Sequence, residues 1–189
     1  MDALFLSDKF SAAMPYDKYV LTGTAEQQRR WKQVYDAAQL SDAQRQVVGG
    51  FVREMKILIV SGIWCGDCVQ QCPLVQRIAQ ANSAKVDLRL LDRDQHRDLS
   101  ERLRLNAGDR VPVAVFLAED FEFCGAFGDR TLHRYRALAR SQLGASCPTG
   151  LAPPDADEMG KTLKDWLDEI ERIALMLRLS PRLRRRHGD

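Results

Sequence analysis

An apolar run, Ile57-Leu58-Ile59-Val60, leads through Ser61-Gly62-Ile63 into Trp64-Cys65-Gly66-Asp67-Cys68. A short, continuous apolar run reads as a buried central strand. After it the period changes: Val69, Cys72, Val75, Ile78 and Ala79 share one face of a helix over residues 65–80. A chain that passes from a buried strand straight onto a helix is held to an α/β arrangement. Its two sulfurs then sit at the helix tip, where unsatisfied N–H groups and a partial positive charge favour a thiolate at Cys65. Cys68, three residues on, lies on the same face and can close a small disulfide ring. Cys-x-x-Cys on this element is an arrangement for thiol–disulfide exchange.

Around this pair the strand and helix signals follow a regular order. Residues 85–91 alternate Val86, Leu88 and Leu90 as a strand does, and 97–105 suit a short helix. Residues 113–117 form a second buried run, Ala118-Glu119-Asp120 a turn, and Phe121, Phe123 and Phe127 a return strand ended by Gly128-Asp129. Residues 131–142 have helical composition. The expected order is β-α-β-α-β-β-α: a mixed four-stranded sheet flanked by helices. The first crossover makes parallel neighbours and the last two strands an antiparallel hairpin.

Both ends are read as helical additions. Residues 1–55 carry two capping boxes, Thr24-Ala25-Glu26-Gln27 and Ser41-Asp42-Ala43-Gln44, each with a hydroxyl at the N-cap and Gln three residues on. Apolar residues at helical spacing follow each box. Gly49-Gly50 interrupts the second stripe, which implies close packing or a break. The core domain is placed at 56–143 and a linker at 144–157, with Pro148, Pro153 and Pro154. An amphipathic helix at 158–179 carries Leu163, Trp166, Leu167, Ile170 and Ile173, and a basic tail follows at 180–189. The tail reads as solvated and frayed, or as the contact for an anionic partner.

At 45% hydrophobic and 29% charged residues the chain has the composition of a soluble globular protein. A formal net charge of +2 gives no footprint for nucleic acid. No apolar stretch approaches the roughly 18 residues that span a membrane. The first residues lack the basic flank of a signal peptide, so a cytoplasmic location is the default expectation. Five cysteines in a reducing compartment need no structural framework, and Cys124 and Cys147 stand alone as small hydrophobes. Cys65-x-x-Cys68-x-x-x-Cys72-Pro73 matches the end of a ferredoxin cluster run, but the preceding ligand position is Gly62. Zinc commonly requires a second pair of ligands. There is no Gly-rich phosphate loop. No metal and no cofactor is expected. His96 and His133 sit in polar company and read as surface residues, and Asp92, Asp94 and Asp98 with Arg93 and Arg97 as a solvated turn.

Trp64-Cys65-Gly66-Asp67-Cys68, then Pro73, then Val111-Pro112, then Gly128 together resemble the thioredoxin superfamily over roughly residues 56–142. The resemblance implies a thioredoxin-like fold. Pro73 falls where the family has a helix-kinking proline, Pro112 where it has a cis-proline beside the redox pair, and Gly128 where a glycine of the final strand lies close by. It implies Cys65 as nucleophile and Cys68 as resolving thiol. Trp64, Gly66, Asp67, Val111, Pro112 and Gly128 would form the docking surface, and Cys72 an auxiliary thiol or a core residue. Clients would be proteins carrying disulfides, and electrons would come from a partner reductase or a small thiol; a monomer is expected. Some proteins of this fold are redox-inert interaction or chaperone-like modules, which stands as the alternative. Two residues depart from the family. Asp67 replaces its usual proline, and a carboxylate there is expected to disfavour the thiolate of Cys65. Ile59 stands where the family buries an aspartate.

Overall fold

The computed structural model describes residues 1–143 and 157–189. The expected linker, apart from Asp157, and Cys147 lie outside the described residues.

Strand β2 (Met55–Ser61) is the centre of the molecule, and Ile57, Leu58, Ile59 and Val60 are fully buried. Apolar residues on successive positions require cover on both faces of the sheet, which layers of packed helix supply, while neighbouring strands satisfy the two edges. On one side β2 pairs in parallel with β3 (Val86–Asp92); on the other it pairs antiparallel with β4 (Val113–Ala118). Ile59 stands opposite Leu90 in one register and Ala114 in the other. β4 continues antiparallel into β5 (Phe123–Gly128), whose residues are exposed or half-buried, as befits an edge.

The sheet has five strands, not the four expected. A two-residue strand, β1 (Met14–Pro15), pairs antiparallel with β3, so the order is β1-β3-β2-β4-β5. Two residues carry no period that a sequence could display. Pro15 has no N–H to give to a ladder, and the outer edge is where a strand tolerates that.

The parallel crossover from β2 to β3 is α5 (Gly66–Ala81), which begins at the Cys-x-x-Cys pair. Pro73 lies inside it and is buried. Before β2 run α1 (Ala3–Ala12), α2 (Tyr16–Val20), α3 (Ala25–Ala37) and α4 (Asp42–Gly49). Both expected capping boxes form: Thr24 with Gln27, and Ser41 with Gln44. The Gly49-Gly50 pair is a break, since α4 ends at Gly49. After β3 come α6 (Arg97–Ser100) and a 3-10 turn (Glu101–Leu103), and after β5 α7 (Leu132–Leu143).

Helix α8 (Glu158–Leu179) packs against α5, α7 and β5 through Leu163, Trp166, Leu167, Ile170 and Ile173, all buried. The Trp166 ring meets Phe127 of β5 edge-on, centroids 5.0 Å apart. The basic end is not frayed. It forms α9 (Pro181–His187), capped by Ser180, with Leu183 fully buried. Proline at the first helical position suits the missing N–H. Arg186 (3.0 Å) and His187 (2.9 Å) reach Glu119, while Arg182 pairs with Asp120, so the basic residues close on the turn between β4 and β5. Among the described residues, no helix is long and apolar enough to cross a membrane.

Candidate functional site

The turn 62–64 carries the chain from β2 to α5, and a buried tryptophan from α3 holds it. Trp31 is completely buried, between Tyr16 and Tyr19, and its indole N–H donates to the Ile63 carbonyl at 3.0 Å. A fixed Ile63 in turn fixes where Trp64 and Cys65 emerge. Trp64 is 48% exposed, with the Arg93 guanidinium 4.8 Å from its ring.

Cys65 is the N-cap residue of α5 and makes no side-chain cap. It is half-buried; Cys68 and Cys72 are fully buried, and all three are free thiols. Cys65 and Cys68 share a hydrogen bond, which together with burial pushes the Cys65 thiol above its ordinary range. The backbone N–H groups of Cys68 and Asp67 pull it back, as a helix N-terminus should, without winning. Burial pushes Cys68 up as well. Two thiols on one hydrogen bond titrate as a pair rather than singly.

The Cys65 thiol lies 3.6 Å from the Val111 carbonyl. The Val111–Pro112 bond is cis. Gly128 sits across from Val113, and a Cβ there would come within 2.3 Å of the Pro112 carbonyl oxygen. At φ +154° and this separation only glycine fits. The structure therefore brings Cys65, Cys68, Val111, Pro112 and Gly128 to one end of the sheet, bordered by Trp64 on the turn and Gly66 at the start of α5.

Asp67 corrects one expectation. Its carboxylate does not face the thiols as a bare charge. Arg130 reaches it at 2.6 Å and Arg134 at 3.1 Å, and all three side chains are largely covered. Arg134 also pairs with Glu158 of α8 at 2.8 Å. Beside them Asp129 pairs with Arg110 (3.2 Å) and Arg130 (3.3 Å) and accepts from the Tyr135 hydroxyl. Burial alone would raise the Asp129 pKa; the Tyr135 and Arg110 hydrogen bonds outweigh it and hold the carboxyl below the ordinary range. A collar of alternating charge thus surrounds the outer side of the helix tip. What reaches Cys65 from Asp67 is its backbone N–H, which lowers the thiol pKa.

Gln71 links this collar to the core. Fully buried, it donates to the Asp129 carbonyl (3.0 Å) and accepts from the Trp166 indole (3.2 Å) and the Thr131 N–H (3.3 Å). Sequence reasoning missed Gln71, Arg130 and Arg134. The one available signal was Asp67 itself, since a carboxylate in the first turn beneath an apolar surface calls for cationic partners. It missed Ser61 as well, whose hydroxyl lies 3.8 Å from Cys72 Sγ.

His133 is not a plain surface residue, because its ring pairs with Asp165 of α8 at 2.9 Å and ties α7 to that helix. Cys124 is half-buried on β5. Among the described residues, no three His, Cys, Asp or Glu side chains gather as a metal site would require.

A central strand that ends in Cys-x-x-Cys at a helix tip, beside a cis X-Pro bond on the next antiparallel strand, defines the thioredoxin-like class of α/β proteins. The chain belongs to the thioredoxin family, whose model (Thioredoxin) matches residues 13–139. Among solved structures, it is similar to the 1.5 Å crystal structure of PA1234, a protein of unknown function from Pseudomonas aeruginosa. That match has a TM-score of 0.66 and 20% identity, and covers 88% of this chain and 95% of that one. It is likewise similar to an HIV epitope-scaffold, with a TM-score of 0.64 and 19% identity over 88% of this chain and 95% of that one. At these identities the two structures speak for the fold. No curated protein matches the chain.

Proposed function

We propose that this protein is a thiol–disulfide oxidoreductase that reduces disulfides in client proteins. Cys65 attacks a client disulfide and forms a mixed disulfide; Cys68 then attacks Cys65 Sγ, closes the Cys65–Cys68 bond and releases the reduced client. The client lies along Trp64, Val111 and Pro112, with backbone groups of Val111 available to an extended peptide. A partner reductase or a small thiol returns the pair to the dithiol.

One observation carries this reading: a half-buried Cys65 at the N-cap of α5, with Cys68 fully buried one turn on and the Val111 carbonyl 3.6 Å from the Cys65 thiol. The belonging of the chain to the thioredoxin family supports it. The test is a redox titration of the Cys65–Cys68 pair beside a disulfide reduction assay. A two-electron transition is expected, with reduction abolished in Cys65→Ser and a stable mixed disulfide accumulating in Cys68→Ser.

A second reading, a redox-inert interaction module, is favoured by the upward push on both thiols, since the thiolate is the attacking form. Absence of any two-electron transition in the titration decides for it.

A further inference from the structure

A thiol with no contact to water has to find its hydrogen-bond donors inside the protein, or it will not ionise. Cys68 is such a thiol, at 0% exposure. Ile59, buried in β2, has no polar side-chain atom to give. Two polar groups face Cys68 from β2 and the turn after it: the Gly62 N–H, 3.4 Å from Cys68 Sγ, and the Ser61 hydroxyl, which lies 3.8 Å from the Sγ of Cys72 and beside Cys68. Ser61 is itself fully buried. Behind it, from α2, stands Tyr19. Its hydroxyl is buried, has no well-formed hydrogen bond and lies beside Ser61. A hydroxyl left this way inside a core is unusual. Here it backs a serine that reaches the thiols.

We propose that Ser61, backed by Tyr19, activates the resolving thiol by donating its hydroxyl hydrogen bond to Cys68 as that thiol gives up its proton. This rests on the oxidoreductase reading above. In the mixed disulfide the Cys68 thiolate attacks Cys65 Sγ. The Cys65–Cys68 bond forms, the bond from Cys65 to the client sulfur breaks, and its electron pair leaves with the client. The proton shed by Cys68 ends on that client thiolate. The client disulfide is the oxidant and the protein dithiol the reductant, so no further reactant enters. Ser61 holds the negative charge on Cys68 while the step proceeds and is unchanged at its end.

Other ionisable groups surround Cys68. On α5 and at its N-cap they are Cys65, Cys72 and, further out, Asp67, whose partners Arg130 and Arg134 come from the segment after β5 and from α7. From α2, Tyr16 faces Cys72 and Tyr19 faces Ser61, and Asp92 of β3 faces Tyr19. Cys72 works against ionisation of Cys68, and the Ser61 hydrogen bond works for it.

The experiment follows the release of thionitrobenzoate from Ellman's reagent in a Cys124→Ser, Cys147→Ser background. The first equivalent reports attack by Cys65 and the second reports resolution by Cys68. In Ser61→Ala the first release is unchanged. The second slows about tenfold at neutral pH, and its pH midpoint rises by about one unit, the size expected for one lost hydrogen bond to a charged group. Tyr19→Phe gives a smaller shift in the same direction. If Ser61→Ala does not fold, Ser61→Thr and Ser61→Val form a pair of equal bulk that differs in the hydroxyl, and only the threonine variant keeps the early midpoint. A folded alanine or valine variant that resolves at the wild-type rate with the wild-type midpoint overturns the proposal. A wild-type protein that never releases the second equivalent overturns the oxidoreductase reading, and this one with it.

Discussion

The first turn of α5 has two sides, and they are built from opposite materials. Its outer side is a collar of charge: Asp67, Arg130, Arg134, Asp129 and Arg110, each within reach of an opposite partner. Its inner side is a dry floor of Cys68, Cys72, Ser61, Ile59 and Tyr19, with Trp31 anchoring the turn just above. The collar joins elements far apart in sequence by forces that salt screens and pH removes. The floor joins them by packing and by a few hydrogen bonds that water never reaches. Charge near the thiols is balanced on the outside, so proton affinity within the pair is set from the inside.

The largest effect expected from breaking one side comes from the floor. Trp31→Ala removes a fully buried ring and the hydrogen bond to Ile63, and should cost about 3–5 kcal/mol in denaturant unfolding. That loss should not change between low and high salt. The collar should behave otherwise. Asp67→Ala leaves Arg130 and Arg134 without their shared carboxylate and should cost about 1–3 kcal/mol, a loss that shrinks as salt is added. Equal salt sensitivity of the two variants would dissolve the distinction.

The collar can also be sharpened by pH. Asp129 is held below the ordinary Asp range in the folded protein. A depressed folded pKa contributes stability that is fully present above the unfolded value, about 4, and is lost as pH falls through the folded one. The stability difference between wild type and Asp129→Asn should therefore be constant near neutrality and narrow below about pH 4. A difference that widens in acid contradicts the assignment. The smallest effect belongs to neither side: the exposed Lys164–Asp168 pair, one helical turn apart on α8, should change stability by less than about 0.5 kcal/mol in Lys164→Ala.

Much of the fold was legible because its signals are local. The run Ile57-Leu58-Ile59-Val60 is apolar at every position because both faces of the central strand are buried. The boxes at Thr24 and Ser41 satisfy their helix N-termini with residues three apart. Val111-Pro112 and Gly128 could be placed by their order along the chain. What was not legible depended on distant partners. β1 exists because the edge of β3 was free to accept Met14 and Pro15. The basic end reads as solvated until Glu119 and Asp120 of the β4–β5 turn are seen opposite it.

The chain alone determined where two cysteines meet a helix N-terminus and which strand delivers them, since both follow from periodicity and short-range hydrogen bonding. Only the tertiary structure decided the surroundings of those sulfurs. Asp67 is neutralised by guanidiniums more than sixty residues away, and Cys68 is faced by a serine from the strand beneath it. Coulombic and hydrogen-bond energies depend on separation in space, and separation in space is what a linear order of residues does not state.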